Sequence, residues 1–494
     1  MIKEKSAIII GAGIGGLSTS IFLARKGYKV DIFEKNMYPG GRCGQILREG
    51  HRFDIGATIL LMPSIYRNVF ESLGLNFDDC FELKALPSVY KIYFENGISL
   101  SFSSQKELME KQLEAIEPGS YVAFTKYIAT GYEFFQKSLS QLLGRNFFHT
   151  SEFVTLRNAA LLINLKTYLK HKTFIRRFFK NNELQQAFIF QNIYVGQNPL
   201  TSPALFSMLP AAELTEGALF PIGGMYSITE KLRDTATELG VNIHYNKAVS
   251  KICISGKIAK SIELSDGTIC NADIFVANAD LPYVYRDLLP DRNAARRIQR
   301  KKYTCSAMVF HWGLKKVYSE LGHHSVFLSS DFKYSLEKIF KEYSLSGDPS
   351  FYVHSPVRTD PAAAPPGEDS LTVVIPMGHI DAKHPQQWNE LIKMARTAVL
   401  NRLKTIGMND IEENIKFEIC YPPTSWKSIF NVSKGSVFGS LKHSIFQMGY
   451  FRPHNRHNKY RNLYFSGGST HPGNGVPLVL MSAKLTSERI LKEN

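Results

Sequence analysis

The sequence predicts an α/β fold, and three features predict it. These are a strand–glycine loop–helix–strand unit at the N terminus, a later series of short strands ending in an apolar one, and a strand–loop–helix unit near the C terminus. Ala7-Ile8-Ile9-Ile10 is a short apolar strand, Gly11-Ala12-Gly13-Ile14-Gly15-Gly16 a tight loop, and Leu17 to about Lys26 a helix of small and apolar residues. A second strand, Lys29-Val30-Asp31-Ile32-Phe33, ends on Glu34. In that context the glycines form a Rossmann-type dinucleotide fingerprint. Gly11 allows the turn, Gly13 lets the backbone approach a pyrophosphate, and Gly16 lets helix and strand pack closely. The helix N terminus at Ile14 and Gly15 offers free N–H groups to an anion. Glu34, with Lys35 beside it, is placed to hydrogen-bond ribose hydroxyls.

Pro39-Gly40-Gly41-Arg42 follows directly. Paired glycines and an arginine bring backbone and a fixed cation against a second stretch of diphosphate or a flavin, which favours FAD over NAD. The spacing of glycine loop, terminal Glu34 and Gly40-Gly41-Arg42 resembles the FAD-binding amine oxidase and carotenoid desaturase superfamily. Phe53-Asp54-Ile55-Gly56-Ala57-Thr58 is similar to that superfamily's flavin-side segment, which makes Gly56, Ala57 and Thr58 expected cofactor contacts. No second GxGxxG occurs, so no NAD(P)H domain is expected.

The 494 residues are enough for two or more cores, and 44% apolar with 21% charged residues is the composition of an ordinary folded protein. A balance of 59 basic to 44 acidic residues gives a net charge of +15, which suits an anionic partner surface. Six scattered cysteines without CxxC spacing argue against a disulfide framework or zinc site and for a reducing compartment. The apolar N-terminal run is a strand, not a signal peptide, since cleavage would remove the nucleotide loop. With no stretch long and apolar enough to span a bilayer, the expectation is a cytoplasmic protein, soluble or peripherally associated with a membrane.

Six segments are expected. Residues 1–70 open the FAD-binding domain. Residues 71–125 begin an α+β substrate domain, with strand-like alternation at Val89–Phe94 and Ile98–Phe102. Residues 126–215 form a helical, membrane-facing subdomain. Its stretch Phe153–Asn182 carries Arg157, Lys166, Lys170, Lys172, Arg176, Arg177 and Lys180 among aromatic and aliphatic residues, with no Asp or Glu. Such a basic amphipathic pattern suits an anionic lipid surface; the alternative is a partly buried hairpin with a solvated basic face. Residues 216–296 return to the FAD-binding domain as a helix from Ser227 to Leu239 and short strands ending at Ala272–Ala277. Residues 297–450 complete the substrate domain, and residues 451–494 the FAD-binding domain.

That last segment carries the second motif. Asn462–Phe465 enters a turn, Ser469-Thr470-His471-Pro472-Gly473-Asn474-Gly475-Val476-Pro477 is a rigid loop, and Leu478–Leu491 is a helix. A helix N terminus beside a flavin stabilises negative charge as the ring is reduced. Here the resemblance narrows: the whole chain is similar to the bacterial and fungal type of phytoene desaturase, including the branch acting on C30 4,4'-diapophytoene. It implies FAD contacts at Gly468, Pro472, Gly473, Gly475 and Val476. Gly467-Gly468 departs from the Gly-Asp pair of other flavin oxidoreductases, so backbone or Ser469 contacts are expected to replace that carboxylate.

The activity the resemblance implies is insertion of C=C bonds into a hydrophobic polyene, phytoene or 4,4'-diapophytoene. Quinone or oxygen would serve as electron acceptor. Hydride removal leaves a conjugated cation, and a neighbouring carbon then loses a proton, so alignment and dryness matter more than an acid–base cluster. His471 is a candidate proton acceptor or a loop-shaping residue; Glu213 and Glu216 are further candidates. Phe188–Tyr194 and Phe446–Phe451 are candidate channel or core aromatics, and Tyr450–Arg456 a second candidate membrane contact. No metal site is expected, and no nucleic-acid motif accompanies the positive charge. An isomerase or terminal-methyl oxygenase on the same scaffold, or a FAD-containing carotenoid or lipid carrier, would show the same motifs.

Overall fold

A computed structural model describes residues 5–444 and 447–494; Phe446 lies outside the described residues. The strand Ser6–Ile10 is central to a five-stranded parallel sheet in the order Asn242–His244, Lys29–Phe33, Ser6–Ile10, Ile274–Ala277, Leu463–Phe465. Three distant stretches of the chain therefore meet in one sheet. Its inner strands are apolar on both faces because both are covered. Ala7, Ile9, Ile274 and Val276 pack under the helices Ile14–Ala24, Tyr226–Glu238 and Val476–Glu493. Ile8, Ile10, Phe275 and Ala277 pack against the antiparallel meander of Val249–Ser255, Ile258–Leu264 and Ile269–Asn271. The close helix–strand approach depends on Gly16, where an added Cβ would sit 2.1 Å from the Gly11 carbonyl oxygen.

A second, seven-stranded sheet runs in the order Ile415–Tyr421, Ser306–Leu314, Asp369–Met377, Phe351–His354, His324–Phe327, Tyr90–Tyr93, Ser99–Phe102. Alternation along Ser306–Leu314 decides what each face does. Met308, Phe310, Trp312 and Leu314 bury against the helix Trp388–Lys404, while Ala307 and Val309 turn to the other side, towards the interior cavity. Each such buried aromatic or aliphatic side chain contributes about 1.5–3 kcal/mol relative to exposure.

Between the sheets and along one flank lie the helices Lys106–Ile116, Ser120–Ser138, Thr150–Phe153, Leu156–Asn164, His171–Ile175, Asn182–Ala187 and Met208–Glu216. The basic stretch Phe153–Asn182 is broken into short helices. Leu161, Leu165, Phe174, Ile175 and Phe179 face inward, packing with Tyr127 and Phe188 in one cluster. Arg157, Lys170, Arg176, Arg177 and Lys180 are exposed and solvated, while Lys166 and Lys172 are half-buried. Lys166 in left-handed backbone (φ 50°) interrupts the chain between Leu156–Asn164 and His171–Ile175.

Candidate functional site

One cavity of about 590 Å³ runs from the glycine loop, between the two sheets, to the helical flank. At one end it is bordered by Gly11, Gly13, Ile14, Gly15, Glu34 and Lys35, and by Gly40, Gly41 and Arg42. Gly40 N–H donates to the Ala12 carbonyl at 2.9 Å, which ties the two glycine segments together. No side chain caps the helix Ile14–Ala24, so its N terminus is open to a ligand in the cavity. A Cβ on Gly15 would sit 2.5 Å from Asn278 Nδ2. The Glu34 carboxylate accepts from Ala12 N–H at 2.8 Å and Asn36 N–H at 2.9 Å. Burial pushes its pKa up, and those hydrogen bonds pull it back. An open helix N terminus, a cradle without side chains and an acid at the end of the second strand fit a dinucleotide.

Further in, Gly56, Ala57 and Thr58 border the cavity from one side, and Gly468, Pro472, Gly475 and Val476 from the C-terminal loop. Gly16, Gly473 and His471 do not border it. Gly16 packs against the backbone of the glycine turn. A Cβ on Gly473 would meet the His443 ring at 2.5 Å, so that glycine serves the packing of the loop. His471 is buried, and its Nε2 donates to the Arg145 carbonyl at 3.0 Å. Burial pushes its pKa down to about 4. It anchors the loop.

The carboxylate missing from Gly467-Gly468 has a counterpart that sequence reasoning did not single out. Asp280, just past the strand Ile274–Ala277, borders the cavity and accepts from Ser433 N–H at 2.9 Å and from Ser469 Oγ at 2.7 Å. Its charge opposes the burial that pushes the Arg42 pKa down, and Arg42 Nη1 donates to the Val437 carbonyl at 2.6 Å. Its signal in the sequence was only position, an acid at the C-terminal end of a parallel strand.

Beyond the cradle the lining turns apolar. Phe190, Ile193 and Tyr194 border the cavity, whereas Phe188 and Ile189 belong to the core. Leu162, Phe153, Met448 and Phe451 close the helical end. Glu213 is the acid in this apolar part, 1% exposed on the helix Met208–Glu216. Tyr90 Oη donates to its Oε2 at 2.7 Å, and Gln191 Nε2 donates to that hydroxyl at 2.9 Å. Burial pushes the Glu213 pKa up to about 8, against the lowering effect of the Tyr90 bond. Glu216 lies instead with Ser64, whose Oγ donates to it at 2.9 Å.

In the second segment expected to meet a membrane, two polar side chains are turned inward. Arg452 is 1% exposed and donates to the carbonyls of Thr470 at 2.7 Å and Gly468 at 2.5 Å. Asn455 Nδ2 donates to the His471 carbonyl at 3.0 Å. Both side chains brace the C-terminal loop, because it turns too tightly to satisfy its own carbonyls.

The model of the flavin-containing amine oxidoreductases matches residues 14–491. A zeta-carotene-forming phytoene desaturase of Myxococcus xanthus is 36% identical over 492 residues, 99% of this chain and 94% of that protein. A phytoene desaturase of Fusarium fujikuroi is 37% identical over 519 residues, covering 99% and 90%. A 4,4'-diapophytoene desaturase (4,4'-diaponeurosporene-forming) of Staphylococcus aureus is 33% identical over 495 residues, covering 98% of each. Among solved structures, an oxidoreductase from Methanosarcina mazei superposes with a TM-score of 0.63 at 16% identity, over 98% and 100% of the two chains. A putrescine oxidase superposes with a TM-score of 0.63 at 12% identity, over 99% of each. These last two likenesses concern the fold.

Proposed function

Because the chain belongs to the flavin-containing amine oxidoreductase family, we propose that it is an FAD-dependent carotenoid desaturase acting on phytoene or 4,4'-diapophytoene. The observation that carries this reading is the cavity itself. It joins a dinucleotide cradle to a long space walled by aliphatic and aromatic side chains, as a hydrocarbon substrate requires. The relatives named for phytoene and 4,4'-diapophytoene desaturation are alike over nearly the whole chain.

Bound FAD would supply the hydride acceptor. The protein's own residues do the rest. Val309, Val374 and Leu328 give the polyene a dry wall on the side of the seven-stranded sheet, and Phe190 and Tyr194 line the same space. Desolvation there leaves Glu213 as the group able to take the proton lost from the neighbouring carbon. Before that transfer Tyr90 steadies the ionised carboxylate through its hydrogen bond.

No helix among the described residues is long and apolar enough to cross a membrane. Peripheral attachment is supported by Leu156, Val154, Tyr168 and Ile163, exposed by 92%, 68%, 67% and 61%, among the basic residues of the same stretch. Phe153 and Leu162 of that stretch border the helical end of the cavity, where a substrate dissolved in lipid would enter. Quinone or oxygen would then reoxidise the flavin. Feeding both precursors to cells expressing the protein tests the reading. Products that have lost hydrogen and gained no oxygen support it; oxygenated or merely isomerised products overturn it.

A further inference from the structure

Three imidazoles meet beneath the wall of the cavity. His324 opens the strand His324–Phe327 and pairs directly with His354, the last residue of Phe351–His354. His323, just before the strand, swings to the same side. The three ring centroids are 4.4, 5.0 and 5.1 Å apart, and one ring nitrogen of each lies within 4.8 Å of the other two.

Their outer contacts orient them. His323 Nδ1 bonds Thr359 Oγ1 at 2.6 Å, and His324 Nδ1 bonds the Tyr352 hydroxyl at 2.7 Å. That leaves Nε2 of His324 without a partner and Nε2 of His323 bonded only to His354 within the trio, which is how a hydrogen-bonded partner fixes the orientation of a metal-binding histidine. His323 Nε2 and His354 Nε2 are 3.2 Å apart. Two nitrogens bound to one tetrahedral ion at about 2.0–2.1 Å stand about 3.3 Å apart. The Nε2 of His324 is buried with no hydrogen-bond partner, as is the Nδ1 of His354. Burial also disfavours the imidazolium form of all three.

We propose that His323, His324 and His354 bind a borderline divalent cation such as zinc, leaving a coordination position open to water. An all-imidazole set excludes magnesium and calcium, which take oxygen ligands. The neighbouring fixed cations are already paired, Arg52 with Asp360 and Arg358 with Asp369, the latter at 2.8 Å, so they do not bar a further positive charge. The bound ion would clasp two strands of the seven-stranded sheet. Through His324 it would also hold Tyr352, which borders the cavity and shares a hydrogen bond with Thr58 Oγ1 at 2.9 Å.

The test uses untagged, flavin-loaded full-length protein, stripped with a chelator and dialysed against dilute zinc. Metal content and melting temperature are measured beside those of His354→Ala and His324→Gln, with the flavin spectrum as the control for folding. The expected result is one zinc per wild-type chain, a higher melting temperature with zinc, and loss of both effects in the two variants. Substoichiometric zinc in flavin-loaded wild type overturns the proposal, as does equal zinc content in the variants. Should the variants lose flavin, a cobalt titration of wild type decides: a tetrahedral cobalt spectrum supports the site, and its absence overturns it.

Discussion

Tyr90 Oη donates to Glu213 Oε2 at 2.7 Å, across 123 residues of chain and inside an apolar cavity wall. The pair joins a strand of the seven-stranded sheet to the helix Met208–Glu216. It sets an acid where a departing proton needs one.

With its pKa pushed up to about 8, Glu213 is mostly protonated at neutral pH and accepts a proton only as the pH rises. Flavin reduction by substrate should therefore accelerate with pH and level off above about 8. Glu213→Gln should slow that step by about 100-fold or more and abolish this limb of the profile. Rapid anaerobic mixing across a pH series measures both.

The same burial affects stability, and the sign follows from the two states. The unfolded carboxyl loses its proton near 4.5 and the folded one near 8, so the unfolded state gains relative stability between those values. Wild type should lose stability over that window, and Glu213→Gln should not. The gap between their melting temperatures should shift steadily in favour of the variant as the pH rises through that window. A constant gap would place the carboxyl in a wetter site.

Glu34 accepts two backbone N–H bonds at the mouth of the dinucleotide cradle. Glu34→Ala removes a charged acceptor worth about 1.5–3 kcal/mol to its partners and to a ribose. Reconstitution of flavin-free protein should show FAD affinity lower by about 10- to 100-fold, the equivalent of that energy.

Gly16→Ala should give protein without flavin or without a stable fold, since the added methyl meets the Gly11 carbonyl at 2.1 Å. Gly97→Ala is the control: nothing stands within 4 Å of an added Cβ, so only the strain of its positive φ (82°) is felt. Flavin absorbance per chain after purification separates the two.

Much of this was legible from residue order. Ile8-Ile9-Ile10 reads as a strand because both its faces are covered, and the same holds for Ser306–Trp312. Glycine spacing located the cradle because the backbone there has few alternatives. Glu213 was visible only as one carboxyl among many, since its burial comes from Tyr90 and Gln191 in remote segments. Asp280 came to stand beside Ser469 through folding alone. The run Phe153–Asn182 read either as a membrane-facing amphipathic stretch or as a partly buried hairpin with a solvated basic face, and several of its apolar side chains serve the core around Tyr127. Arg452, a cation in a basic segment, is the brace of the C-terminal loop.

The most direct measurement is anaerobic mixing of the FAD-loaded protein with vesicles carrying phytoene or 4,4'-diapophytoene, followed at the oxidised flavin band. Bleaching of that band, with a product that has gained a C=C bond and no oxygen, is the predicted result. A flavin that stays oxidised beside unchanged substrate of both lengths would contradict it.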